Sequence, residues 1–149
     1  MTGRFPDGLR MLPNRSIPAA VVIPELAYRD VGEAVAWLCG ALGLTERLRI
    51  GAHRAQLTVP GGGALIVTDG GSAPVGDGFG CHRVMVRVAD VDAHHRRAVA
   101  SGARILSPPT DYPFGERQYS LADPAGHRWV FSQSIADVDP AAWGGQLQP

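Results

Sequence analysis

Hydrophobic positions in the first part of the chain change from strand spacing to helical spacing and back. Residues 21–29 contain Val, Ile and Tyr and predict a strand, with Pro24 indicating an edge or a bulge. Asp30 and Glu33 fit a capping box, and Gly43 is a typical helix end. Apolar residues at helical spacing predict one buried stripe: Val31, Ala34, Val35, Leu38 and Leu42. Three short strands are predicted next, at residues 48–50, 55–59 and 64–68.

The same succession of strand-like and helix-like hydrophobic spacing recurs about 60 residues later. Asp90 stands at the predicted start of a second helix, as Asp30 does in the first, and Gly102 is its predicted end. The predicted buried side of this helix carries Val91, Ala98 and Val99. Strands are predicted at residues 84–88, 104–106, 118–121 and 128–132, with a long turn region over 108–115. A helical turn is predicted to begin at Asp139 and Pro140.

A turn before each final strand supports the duplication. Asp123-Pro124-Ala125-Gly126 is turn chemistry, and it leads into a strand with apolar Trp129 and Phe131. The glycines at 61–63 lead in the same way into Leu65 and Val67. Each strand–helix–strand–strand–strand module buries one sheet face under its own helix, so the other face needs a cover or a ligand. The predicted parts are an arm at 1–19, a module at 20–69, a linker at 70–80, a module at 81–133 and a tail at 134–149.

Composition narrows the classes of partner. The chain has 149 residues, with 45% apolar and 19% charged residues, as is usual for a globular protein. The formal net charge is zero and the pI is about 7.0, so no overall field favours nucleic acid or an anionic membrane. The polar N-terminus predicts neither a signal peptide nor a membrane span. Cys39 and Cys81 form no CxxC motif, which favours a reduced, cytoplasmic setting.

Several of these segments together resemble the vicinal oxygen chelate superfamily, which includes glyoxalase I, bleomycin-resistance proteins, fosfomycin-resistance enzymes and extradiol dioxygenases. The resemblance covers roughly residues 20–133. The 115–117 and 126–131 segments look most like its PhnB-like, glyoxalase-related branch. It implies an α+β fold in which two βαβββ modules pair into a curved eight-stranded mixed sheet around a cleft. It also implies a homodimer, with modules paired within one chain or exchanged between two. The segments that carry it are 28–30, 88–93, 100–103 and 123–127.

The resemblance also implies where a metal would bind. Metal-using members hold the ion with side chains on the cleft face of four strands, and the matching positions here are Ile23, Ile66, Arg83 and Val130. None of these side chains offers a lone pair suited to a divalent ion. We therefore expect no metal and no other cofactor. The alternative ligands are Glu25, His53 and, through a bulge, His82.

Strand alternation and the resemblance together predict which side chains contact a small molecule. Arg83 and Arg87 would bind a carboxylate or phosphate; the alternative is that they are solvated or pair with Glu25 or Glu116. Glu25 is the candidate general base if burial raises its pKa, and pairing with Arg83 is the alternative. The predicted ligand contacts are Ile23, Ile66, Arg83, Met85, Arg87, Phe114, Arg117, Tyr119, Arg128 and Val130.

Some of these contacts carry a second interpretation. Arg117 and Tyr119 would line the mouth of the cleft or stabilise the sheet. Phe114 and Trp143 lie in predicted loops that would close over a ligand, whereas Trp129 and Phe131 are expected in the core.

Three functions follow from these observations. The first is a metal-free protein that binds a small organic molecule and so sequesters an antibiotic or metabolite, as in antibiotic resistance. The second is a lyase, isomerase or dioxygenase of the same superfamily, which either uses a metal or has Glu25 as its general base. The third is a scaffold whose cleft is filled by its own arm, residues 1–17.

Overall fold

The computed structural model describes residues 14–20, 22–69, 83–147 and 149. The chain divides into two compact units, Met1–Pro74 and Val75–Pro149. The predicted linker at 70–80 lies outside the described residues. Among the helices that the structure describes, none has the length and apolar character needed to cross a membrane.

The first unit contains one helix and a four-stranded mixed sheet, as the sequence predicts. Its strands lie in the order β1-β4-β3-β2, with β1 parallel to β4 and the other neighbours antiparallel. The elements are β1 (Glu25–Tyr28), α1 (Val31–Leu42), β2 (Thr45–Ile50), β3 (Arg54–Thr58) and β4 (Ala64–Asp69).

Local signals set the ends of α1. Asp30 accepts a hydrogen bond on Oδ1 from the Glu33 N–H at 2.9 Å, and Gly43 ends the helix with φ 77°. A positive φ is inexpensive only for glycine, so this residue suits the last turn. The predicted stripe is confirmed, since all five of its residues are buried: Val31, Ala34, Val35, Leu38 and Leu42.

The second unit repeats this arrangement. Its sheet has the order β5-β8-β7-β6, with β5 parallel to β8, and Asp90 caps its helix through the Ala93 N–H at 3.0 Å. The elements are β5 (Val84–Arg87), α2 (Val91–Ala100), β6 (Arg104–Tyr112), β7 (Glu116–Ala122), β8 (Arg128–Ser134) and a 3-10 helix (Pro140–Trp143). The α+β class and the duplicated βαβββ order are confirmed. The pairing of the two sheets around a cleft stays a prediction.

Two local predictions are wrong. The segment 108–112 belongs to strand β6 and is not a turn, although it includes Pro108 and Pro109. Strand β6 is an edge strand with two shifts in its register, and both features let a strand accept proline. Val99 was predicted on the buried side of α2 but is 51% exposed; the buried residues of this helix are Val91 and Ala98.

The turn at 123–126 is confirmed and is tied to the core of the second unit. Asp123 Oδ1 accepts from the backbone N–H groups of Ala125 at 3.1 Å and His127 at 3.0 Å. Its Oδ2 accepts from Trp129 Nε1 at 3.2 Å. Trp129 and Phe131 are fully buried, as predicted, so this carboxylate fixes both the turn and the largest core side chain.

Candidate functional site

Each sheet has one face packed on its own helix and one face that this helix does not cover, which we call the open face. In the first unit, the register aligns Leu26 with Val67 and Val67 with Ala55, all three are buried, and we assign this row to the face on which α1 packs. Alternation puts the neighbouring row on the opposite face. That row aligns Glu25 with Ile66, so both predicted residues lie on the first open face. Ile23 lies before the first residue of β1.

The second open face is defined in the same way. The ring of Phe131 lies 4.0 Å from that of His94 on α2, which identifies the helix-covered face. The register puts Met85 beside Val130 and Arg87 beside Ser132 on the opposite face. Alternation along β8 adds Arg128, whereas Arg83 immediately precedes β5. Met85, Arg87, Arg128 and Val130 therefore share the open face, and their contact with a ligand stays a prediction.

Of the two roles predicted for Arg117 and Tyr119, stabilising the sheet is the one that the structure supports. Both lie on the helix-covered face, because Tyr119 aligns with Phe131 and Arg117 with Gln133. Arg117 donates to Asp92 at 3.1 Å and to Asp111 at 2.9 Å, so it joins α2 to the sheet. These are the stabilising contacts that the second interpretation gave, and neither side chain lines the open face.

Tyr119 is part of the interior of the second unit. It is 1% exposed, and its hydroxyl lies 2.6 Å from His94 Nδ1. Burial raises the pKa of Tyr119 well above its ordinary value. The phenol is therefore held in its neutral form under physiological conditions, where it pairs with the imidazole.

The second open face carries a polar network that the sequence did not reveal. Ser132 donates from Oγ to Glu116 Oε1 at 2.9 Å and accepts from Gln118 Nε2 at 3.0 Å. Arg87 donates to Ser134 Oγ at 3.0 Å and does not pair with Glu116. Among the described residues, Ser132 is the partner shown for the Glu116 carboxylate. One carboxylate oxygen is thus left to accept from another donor.

Three aromatic rings lie together at the hairpin end of the second sheet. Tyr112 and Phe114 are stacked with centroids 5.3 Å apart, and Trp143 lies 5.6 Å from Phe114. Gly115, at φ 84°, holds the tail nearby, because its carbonyl accepts from the backbone N–H groups of Ile135 and Ala136. Trp143 is 48% exposed and Tyr112 is 38% exposed, so part of this surface remains available.

Glu25 does not meet the condition that its catalytic role required. Its side chain is 53% exposed and forms an ion pair with Arg54, the residue aligned with Thr68 on the next strand. The sequence predicted burial or a pair with Arg83, and the structure shows neither. A carboxylate that is half exposed and engaged by an arginine is not placed as a general base would be, free to accept a proton in a site closed to water.

The first open face is in contact with Arg15 and Ser16, which belong to the described part of the N-terminal arm. Gln56 aligns with Ile66 and is only 4% exposed. Its Nε2 donates to the carbonyl of Ser16 at 2.8 Å. Arg47 donates to Gln56 Oε1 and, at 2.7 Å, to the carbonyl of Arg15. Sequence reasoning missed both side chains, although Gln56 is conspicuous as a polar residue inside an apolar strand.

The positions at which the resemblance implies metal ligands are apolar where the structure buries them. Ile66 is 5% exposed and Val130 is 4% exposed, and neither has a donor atom. Within the described ranges, no group of three His, Cys, Asp or Glu residues is placed to hold an ion. His53 is exposed in the turn between β2 and β3, whereas Cys81 and His82 lie outside the described residues.

The fold and its two open faces define a two-module α+β protein, and its sequence identifies the family. The sequence profile of the glyoxalase/bleomycin resistance protein/dioxygenase superfamily matches residues 20–131. The chain belongs to this superfamily. Placement in the PhnB-like branch stays a prediction.

Several known proteins are similar to this chain. TioX from Micromonospora sp. ML1 is 36% identical, with a TM-score of 0.64 over 80% of this chain and 100% of that one. The fosfomycin resistance protein FosX from Listeria monocytogenes has 15% identity and a TM-score of 0.60 over 78% and 94%, and it shows the fold alone. An uncharacterized protein of Mycobacterium tuberculosis is 33% identical over 79 residues, 53% of this chain and 42% of its own. The chain thus spans less than half the length of the curated relatives it matches.

Proposed function

We propose that this protein binds a small organic molecule against the open faces of its modules, without a metal ion. The observation that carries the proposal is the second open face. It combines an apolar centre at Val130 and Met85 with hydrogen-bonding groups at Glu116 and Arg87. Pockets for small molecules have this make-up, a mainly apolar surface with a few polar groups that set orientation.

The charges on this face favour a ligand that has both donors and acceptors. Arg87 uses one guanidinium nitrogen on Ser134 and has further N–H groups that would meet a carboxylate or carbonyl. Glu116 would accept from an amide, hydroxyl or ammonium group of the same molecule. The rings of Phe114 and Trp143 would stack on an aromatic part of it. An antibiotic or a metabolite with these groups is the ligand class we infer.

Metal-free binding is proposed on the chemistry of the side chains. The superfamily's ligand positions correspond here to aliphatic residues and an arginine, which offer no electron pair to a divalent cation. Binding would then depend on shape, stacking and hydrogen bonds alone. Sequestration of the molecule requires only these interactions.

A thermal-shift screen over aromatic and peptide antibiotics and organic acids tests the proposal. A ligand that binds only the folded protein raises the unfolding temperature, and the shift grows with the logarithm of the ratio of its concentration to its Kd. We expect at least one compound to stabilise the wild type, and Glu116→Gln and Arg87→Ala to reduce its affinity about tenfold. The matched control is Arg96→Ala, an exposed arginine on α2. No stabilisation by any compound, or equal binding by all three variants, would contradict the proposal.

We also propose that two copies of the chain associate, as the resemblance implies. Light scattering after gel filtration would give twice the 15.8 kDa chain mass if this is correct. A mass of one chain across the micromolar range would contradict it.

A further inference from the structure

We propose that the first open face is a recognition site for two consecutive amide carbonyl groups, and that the protein's own arm occupies it in the absence of ligand. This inference rests on the proposed function, because it names the chemistry of one part of the ligand. The ligand would be peptide-like: a small molecule whose backbone presents neighbouring amides.

The contacts with the arm show what this face is built to hold. Gln56 and Arg47 donate to the carbonyls of Ser16 and Arg15, two successive residues, at 2.8 Å and 2.7 Å. Both acceptors are main-chain atoms, so the interaction does not depend on the arm's side chains. Any chain with two adjacent amides offers the same acceptors.

The orientation of Gln56 is determined by its neighbours. The guanidinium of Arg47 contains only donors, so the oxygen of the Gln56 amide must face it. The amide nitrogen then faces the carbonyl of Ser16 and can only donate to it. Arg47 thus fixes the polarity of the pair, and the site selects for acceptors.

Burial distinguishes this pair from an ordinary surface contact. Gln56 is 4% exposed and lies beside Ile66, which is 5% exposed. The amide N–H of Gln56 needs an acceptor, which the arm supplies here and a ligand carbonyl would supply in its place. Arg47 lies at the register shift between Glu46 and Leu48, and a bulge of this kind redirects a side chain.

The arm is shaped to be a local and replaceable occupant. Asn14 accepts on Oδ1 from the Ser16 N–H at 3.0 Å, and the Ile17 N–H donates to the Asn14 carbonyl at 3.3 Å. This turn presents the two carbonyls, and Pro18, which is buried, follows them. Among the described residues, the sheet donates hydrogen bonds to two arm carbonyls, those of Arg15 and Ser16. A ligand with the same acceptors would compete for the same donors.

The test uses the full chain and a defined probe, the acetylated and amidated pentapeptide Asn-Arg-Ser-Ile-Pro, which has the sequence of residues 14–18. In the wild type, the tethered arm competes at a high effective concentration, so the probe should bind weakly. The double variant Asn14→Ala/Pro18→Gly removes the turn and the buried proline but keeps Arg47 and Gln56. Calorimetry should show that it binds the probe at least tenfold more tightly than the wild type does.

The decisive substitution is Gln56→Glu in that double variant. The carboxylate keeps its acceptor for Arg47 but has no N–H for a carbonyl, so the affinity for the probe should fall at least tenfold. Gln133→Glu is the matched control, because its Oε1 accepts from the Val91 N–H at 2.8 Å and a carboxylate preserves this contact. Near-UV circular dichroism confirms that each variant is folded.

The outcomes separate this inference from the proposed function. Absence of probe binding to the double variant, or binding that Gln56→Glu leaves unchanged, would overturn the inference. A second outcome is that a compound from the screen stabilises the protein in a way that Glu116→Gln reduces and Gln56→Glu does not. That result would support the proposed function and not the inference. A third outcome is that probe binding depends on Gln56 while Glu116→Gln changes the affinity for no compound. This outcome would support the inference and refute the role assigned to the second open face.

Discussion

Replacing Asp123 by Ala should destabilise the second unit because one buried carboxylate satisfies three donors. Asp123 is 4% exposed and accepts from two backbone N–H groups and from Trp129 Nε1. Trp129 is fully buried, so its N–H cannot turn to water after the substitution. The unpaired indole N–H costs about 1–3 kcal/mol, and hydrogen bonds to the turn add about 1–2 kcal/mol. We expect a loss of about 3–4 kcal/mol.

Urea unfolding, followed by tryptophan fluorescence and far-UV circular dichroism, measures this loss against a total stability of about 5–15 kcal/mol for a typical domain. A double-mutant cycle with Trp129→Phe isolates the indole contribution, since phenylalanine has no N–H. Asp123→Ala should cost about 1–2 kcal/mol less in the background of the Trp129→Phe substitution. The matched control, Asp137→Ala in the exposed tail, should change stability by less than about 0.5 kcal/mol. Equal costs of Asp123→Ala in the two backgrounds would refute the reasoning.

Three further outcomes are expected. Tyr119→Phe should cost about 1 kcal/mol by removing the 2.6 Å contact with His94. Burial raises the pKa of Tyr119 in the folded state, so the unfolded chain loses this proton at a lower pH. The stability of the wild type should therefore fall more steeply above about pH 10 than that of Tyr119→Phe. Equal dependence of stability on pH in the two proteins would contradict this assignment. Gly115→Ala should release the tail, because an added Cβ would lie 2.4 Å from the Ala136 carbonyl oxygen, and the fluorescence of Trp143 should shift to the red; an unchanged spectrum would argue against the docked tail. Elemental analysis of protein purified without chelator should find no stoichiometric zinc, nickel, iron or manganese, and near-stoichiometric metal would refute metal-free binding.

Strand β7 shows how well the sequence predicts the sheet face on which a side chain lies. Along this strand, apolar Tyr119 and Leu121 alternate with polar Gln118 and Ser120. That period indicates that Tyr119 lies inside, whereas Arg117 and Tyr119 were predicted either to contact a ligand or to stabilise the sheet. The structure satisfies both groups on the buried side, with His94 and Asp92. The alternation along β7 therefore indicated the correct face, and it favours the stabilising role over ligand contact.

The ion pairs and the arm could not be derived from the sequence for a different reason. Glu25 and Arg54 are 29 positions apart, and Ser16 and Gln56 are 40 apart. Such contacts depend on which strands are neighbours and on their register. The parallel pairing of β1 with β4 and the antiparallel pairing of β4 with β3 bring Glu25 near Arg54. No local pattern specifies that order.

The sequence by itself determined the duplicated βαβββ order, the caps at Asp30 and Asp90, and the burial of the α1 stripe, because these depend on periodicity and on hydrogen bonds between near neighbours. Tertiary structure decided which polar groups meet. It paired Glu25 with Arg54, turned Arg117 toward α2, and set Gln56 against the arm. Strand order and register create these contacts, and register fixes the face on which every side chain lies. The chemistry that the open faces offer a ligand was therefore visible only once the strands were aligned.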